Sequence, residues 1–128
     1  MIAYLTDGTL PIYYENGQKE REVSFKNGMP DGKFTYWSES GQLRGESYYK
    51  EGNRHGKWTA WHENGQLWYE RYFKNGKRVG NWLMWHNNGK KCSNSYWQND
   101  KDVTRKSWDK NGKLWLHYEN GIRIKLGN

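Results

Sequence analysis

Histidines, a cysteine and repeated glutamates are the residues of this chain best suited to metal binding or catalysis. His62 and His86 lie 24 residues apart, at the same point of two nearly identical segments, and His55, His117 and Cys92 complete the set. A metal ion needs its ligands to converge within a few ångström. In a sheet that advances two strands per repeat, equivalent positions stand roughly 10 Å apart. The other segments carry Ser38 and Asp109 where these histidines stand. No metal site and no cofactor are therefore expected. Glu46 and Glu70 repeat at the same interval, near the upper limit for the two carboxylates of an inverting glycosidase, but their recurrence better suits a ladder of turn or strand hydrogen bonds. Cys92, in "GKKCSNS", has lysines beside it and no base to activate it, which makes a structural thiol. The glycines follow the rhythm of turns rather than of a strand-to-helix phosphate loop, so nucleotide binding is disfavoured and no catalytic residue is expected.

Binding is better provided for. Nine Trp, ten Tyr and three Phe make up 17% of the 128 residues, interleaved with 21 Lys and Arg against 14 acids, for a net charge of +7. Rings and cations so mixed can stack on flat groups and meet anions. The candidate contacts are Trp61, Trp68 and Trp85 with Arg71, Tyr72, Lys74 and Arg78, continuing through Lys91, Tyr96, Trp97 and Arg105. Most rings must nevertheless serve the fold. Mean hydropathy is only -1.29, which by itself would suggest disorder, whereas disordered chains are poor in aromatics. Burial must then be carried by amphipathic rings that keep a polar edge wet. The single cysteine permits no internal disulfide and fits a reducing, cytoplasmic setting. "MIAYLTDGTLPIYY" has no basic region followed by an apolar run, so neither a leader nor a membrane span is expected.

What must position these residues is a repeat. Gly17, Gly41, Gly65, Gly89 and Gly112 recur at intervals of 24, 24, 24 and 23 residues, and further glycines follow the first three of them at Gly28, Gly52 and Gly76 and at Gly32, Gly56 and Gly80. Each unit reads as strand, turn, strand, turn. In residues 57–80, "KWTAWH" and "LWYERYF" are strands, while "ENGQ" and "KNGKRVG" are turns, the first carrying the dipeptide favoured in type I′ turns. The reading is all-β: an elongated antiparallel meander of about five 24-residue hairpin repeats, about ten short strands and no substantial helix. Residues 1–128 form one domain, with a partial repeat over 1–16, regular repeats over about 17–97 and a divergent end over 98–128. Strict alternation puts Trp58 and Ala60 on one face and Thr59 and Trp61 on the other; Leu67, Tyr69, Arg71 and Phe73 oppose Trp68, Glu70 and Tyr72. Without a second layer, rings must stack on equivalent rings of neighbouring units, as the series Phe34, Trp58, Trp82 and Trp37, Trp61, Trp85, Trp108 suggest.

The unit resembles the bacterial variant of the MORN repeat. Its pattern, Gly-x-Trp, an aromatic, Asn-Gly, Leu-x-x-Glu, Tyr and a second Asn-Gly, is met almost throughout by residues 56–80, "GKWTAWHENGQLWYERYFKNGKRVG", and closely by residues 32–56. The resemblance covers about residues 8–121 and implies structural roles for Gly56, Trp58, Trp61, Gly65, Leu67, Glu70, Tyr72 and Gly76. It supplies no catalytic residues. Chains made solely of such repeats include the YwqK-type antitoxin and immunity family, which neutralises a toxin by binding it. In other settings, similar repeats are linked to scaffolds and membrane junctions. The last third departs from the pattern: Lys91 replaces Leu43 and Leu67, Asn94 replaces Glu46 and Glu70, and Asp100, Thr104 and Lys106 replace Gly76, Gly80 and Trp82. Residues 98–106, "QNDKDVTRK", are either an adaptation of the end of the array or a loop shaped by a partner.

The expectation is thus a non-enzymatic protein-binding repeat, an antitoxin or immunity protein whose aromatic face covers a toxin or effector. The basic charge suggests that the toxin presents an acidic patch. An anionic-membrane scaffold and an aromatic carbohydrate-binding module are the alternatives. Nucleic acid is disfavoured, and the exposed sheet edges leave self-association open.

Overall fold

A computed structural model describes residues 7–127, so residues 1–6 of the N-terminal partial repeat lie outside the described residues. Ten long strands follow one another, each antiparallel to the next. They are β1 (Gly8–Tyr13), β2 (Lys19–Lys26), β4 (Gly32–Trp37), β5 (Leu43–Lys50), β7 (Gly56–Trp61), β8 (Leu67–Lys74), β10 (Gly80–Trp85), β11 (Lys91–Gln98), β12 (Lys101–Trp108) and β13 (Leu114–Glu119). Four two-residue strands fold back on their predecessors: β3 (Met29–Pro30) on β2, β6 (Asn53–Arg54) on β5, β9 (Lys77–Arg78) on β8 and β14 (Ile122–Arg123) on β13. The result is one open antiparallel sheet, as the repeat implies. At about 4.8 Å per strand it extends roughly 45 Å across its ten long strands.

Two kinds of turn alternate. The "ENGQ" turns are not type I′: Gly65 donates its N–H to His62 O at 2.9 Å, His62 donates to Gln66 O at 2.8 Å, and of Asn64 and Gly65 only the glycine has positive φ, +86°. This is the bulged hairpin that places a single left-handed residue after an ordinary turn. Asn64 serves instead through its side chain, Oδ1 accepting from the Gln66 N–H at 3.0 Å while Nδ2 donates to Asn87 O in the next unit. The true primed turn is the second Asn-Gly, where Asn75 and Gly76 both have positive φ, 49° and 82°.

The hairpins also contain a shift that changes which residues share a face. Ala60 pairs with Tyr69 but Trp61 pairs with Leu67, leaving Trp68 as the extra residue of a bulge. Cross-strand partners share a face. Leu67 therefore lies with Trp61, opposite Tyr69, and strict alternation fails at this point. The Trp68 ring packs edge-on against Tyr69 at 5.3 Å. Equivalent shifts occur at Ile12/Tyr13, Tyr36/Trp37, Met84/Trp85 and Ser107/Trp108.

The core is thin and one-sided. Val23, Phe34, Ala60, Phe73 and Trp97 are buried, with Ser47, Ser95 and Ser107 beside them, and the registers put all of these on one face. A file of rings runs along that face through Phe25, Phe34, Tyr49, Trp58, Phe73, Trp82 and Trp97, with successive centroids 4.7 to 6.0 Å apart. Phe34, Trp58 and Trp82 do not stack on one another directly. Tyr49 and Phe73, from the intervening strands, stand between them and close gaps of two strand spacings that no single ring contact could span. The indoles keep their polar edges satisfied: Trp58 Nε1 donates to Tyr48 O and Trp82 Nε1 to Tyr72 O, both at 3.0 Å, and Trp97 Nε1 to Ser95 Oγ at 2.8 Å.

Candidate binding face

The repeated histidines are occupied in holding units together, and the repeated glutamates in pairing the two strands of their own hairpin. His62 Nε2 bonds to Trp85 O and His86 Nε2 to Trp108 O, each at 2.8 Å, so each ring clamps a main-chain carbonyl of the following unit. Tyr14 does the same two units before His62, donating its hydroxyl to Trp37 O at 2.7 Å. Glu46 takes the Lys33 ammonium at 2.6 Å and Glu70 takes Lys57 at 2.7 Å. These hydrogen bonds hold both lysines above their ordinary pKa. The glutamates thus form a ladder of strand ion pairs. Burial pushes the Cys92 thiol up, keeping it protonated.

The eleven candidate contacts do not form one surface. Register places Arg71, Arg78, Trp97 and Arg105 on the ring-bearing face, where the unpaired Trp68 also packs beside Tyr69, and Trp61, Tyr72, Lys74, Trp85, Lys91 and Tyr96 on the other. The faces differ electrostatically. On the second, Lys33 and Lys57 are neutralised by glutamates. On the first, arginines lie on rings: Arg71 is 3.9 Å from the Tyr69 centroid and 5.2 Å from Trp82, Arg54 is 4.7 Å from Phe73, and Arg78 is 4.1 Å from Trp97.

Two recesses open on this face. The first, about 350 Å³, is floored by Gly45 and Ala60 and walled by Tyr36, Trp58, Trp68 and Tyr69. It exists because Gly45 interrupts a row in which Arg21, Tyr69 and Ser93 stand at the equivalent positions of other units. Gly45 is not needed for a turn: it sits inside β5, outside the left-handed residues, and an added Cβ would meet Tyr36 Cδ2 at 3.5 Å and Thr59 O at 3.6 Å, ordinary contacts. The second, about 310 Å³, is lined by Arg54, Arg71, Arg78, Phe73, Trp82 and Asp100. Asp100 Oδ1 accepts from Arg78 Nε at 2.6 Å and from the Arg78 N–H at 3.2 Å, and these bonds hold its carboxyl below the usual aspartate range.

Sequence reasoning missed Gly45, with its walls Tyr36 and Tyr69, and also missed Arg54. A glycine inside a strand and away from any turn was the available signal for the first. For Arg54 it was the 24-residue interval to Arg78. Residues 98–106 are not a loop. Asn99 and Asp100 form the turn between β11 and the eight-residue β12, which supplies Arg105 to the ring-bearing face.

Among the described residues no three His, Cys, Asp or Glu side chains gather as a metal ion would require. A search of curated proteins finds no match to this sequence. The family model for the MORN repeat variant matches residues 6–27, 30–51 and 54–75, half of the chain. With three matched units, and a sheet in which hairpin follows hairpin at the repeat interval, the chain belongs to the MORN repeat variant family.

Proposed function

We propose that this protein is a non-enzymatic binding module that engages another protein through its ring-bearing face, and that the partner is a toxin or effector it neutralises. The carrying observation is the recess above Gly45 and Ala60, an apolar opening among Tyr36, Trp58, Trp68 and Tyr69 that adjoins arginines stacked on rings. Protein interfaces concentrate their energy in such places, where an aromatic or aliphatic anchor enters a pocket rimmed by Tyr, Trp and Arg. The identification of the partner as a toxin rests on the likeness to antitoxins built from the same repeat. The action is steric: a sheet face laid over the toxin's active site excludes its substrate.

The test is co-expression with the product of the neighbouring reading frame, reading complex formation and cell survival. Wild type is expected to co-purify and to protect. Gly45→Val is expected to fold normally, since a side chain has room, and to weaken the complex about tenfold or more by filling the recess, about 1.4 kcal/mol. Two results would overturn the proposal: no complex, with salt-sensitive sedimentation on phosphatidylserine vesicles instead, or a complex indifferent to Gly45→Val.

A further inference from the structure

Arg71 occupies a position where the fold needs no arginine. The equivalent residues of neighbouring units are Val23, Ser47 and Ser95, small and 4 to 5% exposed. Arg71 instead places a guanidinium, half-buried, between Trp58 of β7 and Trp82 of β10. Its faces are covered by Tyr69 and Trp82. Its Nε is buried without a hydrogen-bond partner, and Nη2 reaches only the Met84 sulfur at 3.7 Å, a weak acceptor. Burial lowers its pKa, yet a guanidinium remains charged. Such a group is left short of an anion.

The recess beside it is built to hold one. Arg54 and Arg78 flank it, both seated on rings. Among the described residues no ion pair within 4.0 Å includes Arg54 or Arg71. One carboxylate, that of Asp100, already sits at the rim, hydrogen-bonded to Arg78 and close enough to Arg54 to feel its charge, so a single negative group faces three arginines. A carboxylate matches the planar fork of an arginine edge with two parallel hydrogen bonds, and the stem of an acidic side chain can lie against Phe73 and Trp82.

We propose that the Arg54, Arg71 and Arg78 recess is the site for a carboxylate side chain, Asp or Glu, of the bound protein. This deepens the reading of the ring-bearing face as a protein-binding surface and rests on it. The test uses the whole chain, ¹⁵N-labelled, titrated with a hexaglutamate peptide, with inorganic phosphate and acetate in parallel, while the arginine Nε–Hε signals are followed. Saturable movement of the Arg54 and Arg71 signals is expected. Arg71→Lys keeps the charge but loses the fork, and should weaken hexaglutamate binding about tenfold, whereas Lys91→Ala, on the other face, should change it less than about twofold. If Arg71→Lys disturbs the fold by near-ultraviolet circular dichroism, Arg54→Gln, at an exposed strand position, replaces it with the same expectation. Equal losses from Lys91→Ala and Arg71→Lys would reduce the effect to diffuse charge and overturn the site; phosphate displacing the peptide at lower concentration would overturn its assignment to carboxylate. A protein complex indifferent to Arg71→Lys would sink this inference alone, and Arg71-dependent hexaglutamate binding without any protein complex would sink the broader reading alone.

Discussion

Asp100 stands where the preceding unit has Gly76, and its φ of +72° is left-handed all the same. For a residue with a Cβ that conformation is unfavourable, though Asp tolerates it better than most. The offsetting interactions are its hydrogen bonds to Arg78 Nε and N–H, which fix one wall of the arginine recess. These opposing effects are of similar size at an exposed site, so Asp100→Gly should leave the melting temperature within about 3 °C. It should also free Arg78, broadening or shifting its Nε–Hε signal. A large fall in melting temperature would show that the aspartate serves the turn and not the recess. Acid provides a second way to break the same link. Arg78 depresses the folded-state pKa of Asp100, so the stabilisation is present above the ordinary aspartate range and is lost as pH falls through the depressed value. The Arg78 signal should move in that acid window.

At the scale of the hairpin, the ring file is what replaces a core. Trp82 joins Phe73 at 5.1 Å and Trp97 at 5.3 Å, ties its indole to Tyr72 O and carries Arg71 on its face. Trp115, in β13, is 53% exposed. Trp82→Ala should therefore cost about 3 kcal/mol and Trp115→Ala about 0.5 kcal/mol by urea denaturation; comparable losses would mean that the file is not the stabilising element. Much of this architecture was legible in the sequence, because the recurrence of Gly17, Gly41 and Gly65 dictates turns and turns dictate hairpins. What could not be read was set by one-residue shifts. The bulge at Trp68 reverses Leu67 relative to Tyr69, and strict alternation has no means of locating it. Residue type likewise marks Trp, Tyr, Lys and Arg on both sides of the sheet alike, and only register separates Arg71 and Trp97 from Tyr72 and Tyr96. Arg71 was visible as a cation, and the 24-residue interval alone sets it in a row with Val23, Ser47 and Ser95, but its seat between Tyr69 and Trp82 and its unpartnered Nε required the pairing of β7, β8 and β10.

The molecule as a whole is close to one-dimensional. Each long strand touches chiefly the strands before and after it, and the sheet has two ends, β1 and β14. Stability in such an array is a sum of unit and neighbour contributions, so a central hairpin is supported from both sides and a terminal one from a single side. The ends are also chemically weaker: the ring file spans Phe25 to Trp97 and reaches neither β1 nor β13, and Leu10, Tyr13, Trp115 and Ile122 are exposed. At one edge, Pro11 removes a backbone donor from β1. At the other, β14 is only two residues long. Hydrogen exchange should consequently be slowest in β5, β7, β8 and β10 and accelerate outward to both ends, with opening energies graded rather than uniform. Mass spectrometry of the exchanged, pepsin-digested protein measures this directly. Uniform protection from β1 to β13 would mean that the array opens as one cooperative block or that its edges are covered by self-association; a protection gradient that flattens with rising protein concentration would identify the second cause. The expected gradient also places both recesses, at Gly45 and at Arg71, on the most protected part of the sheet, where side chains are held in fixed positions before any partner arrives and binding need not order the backbone.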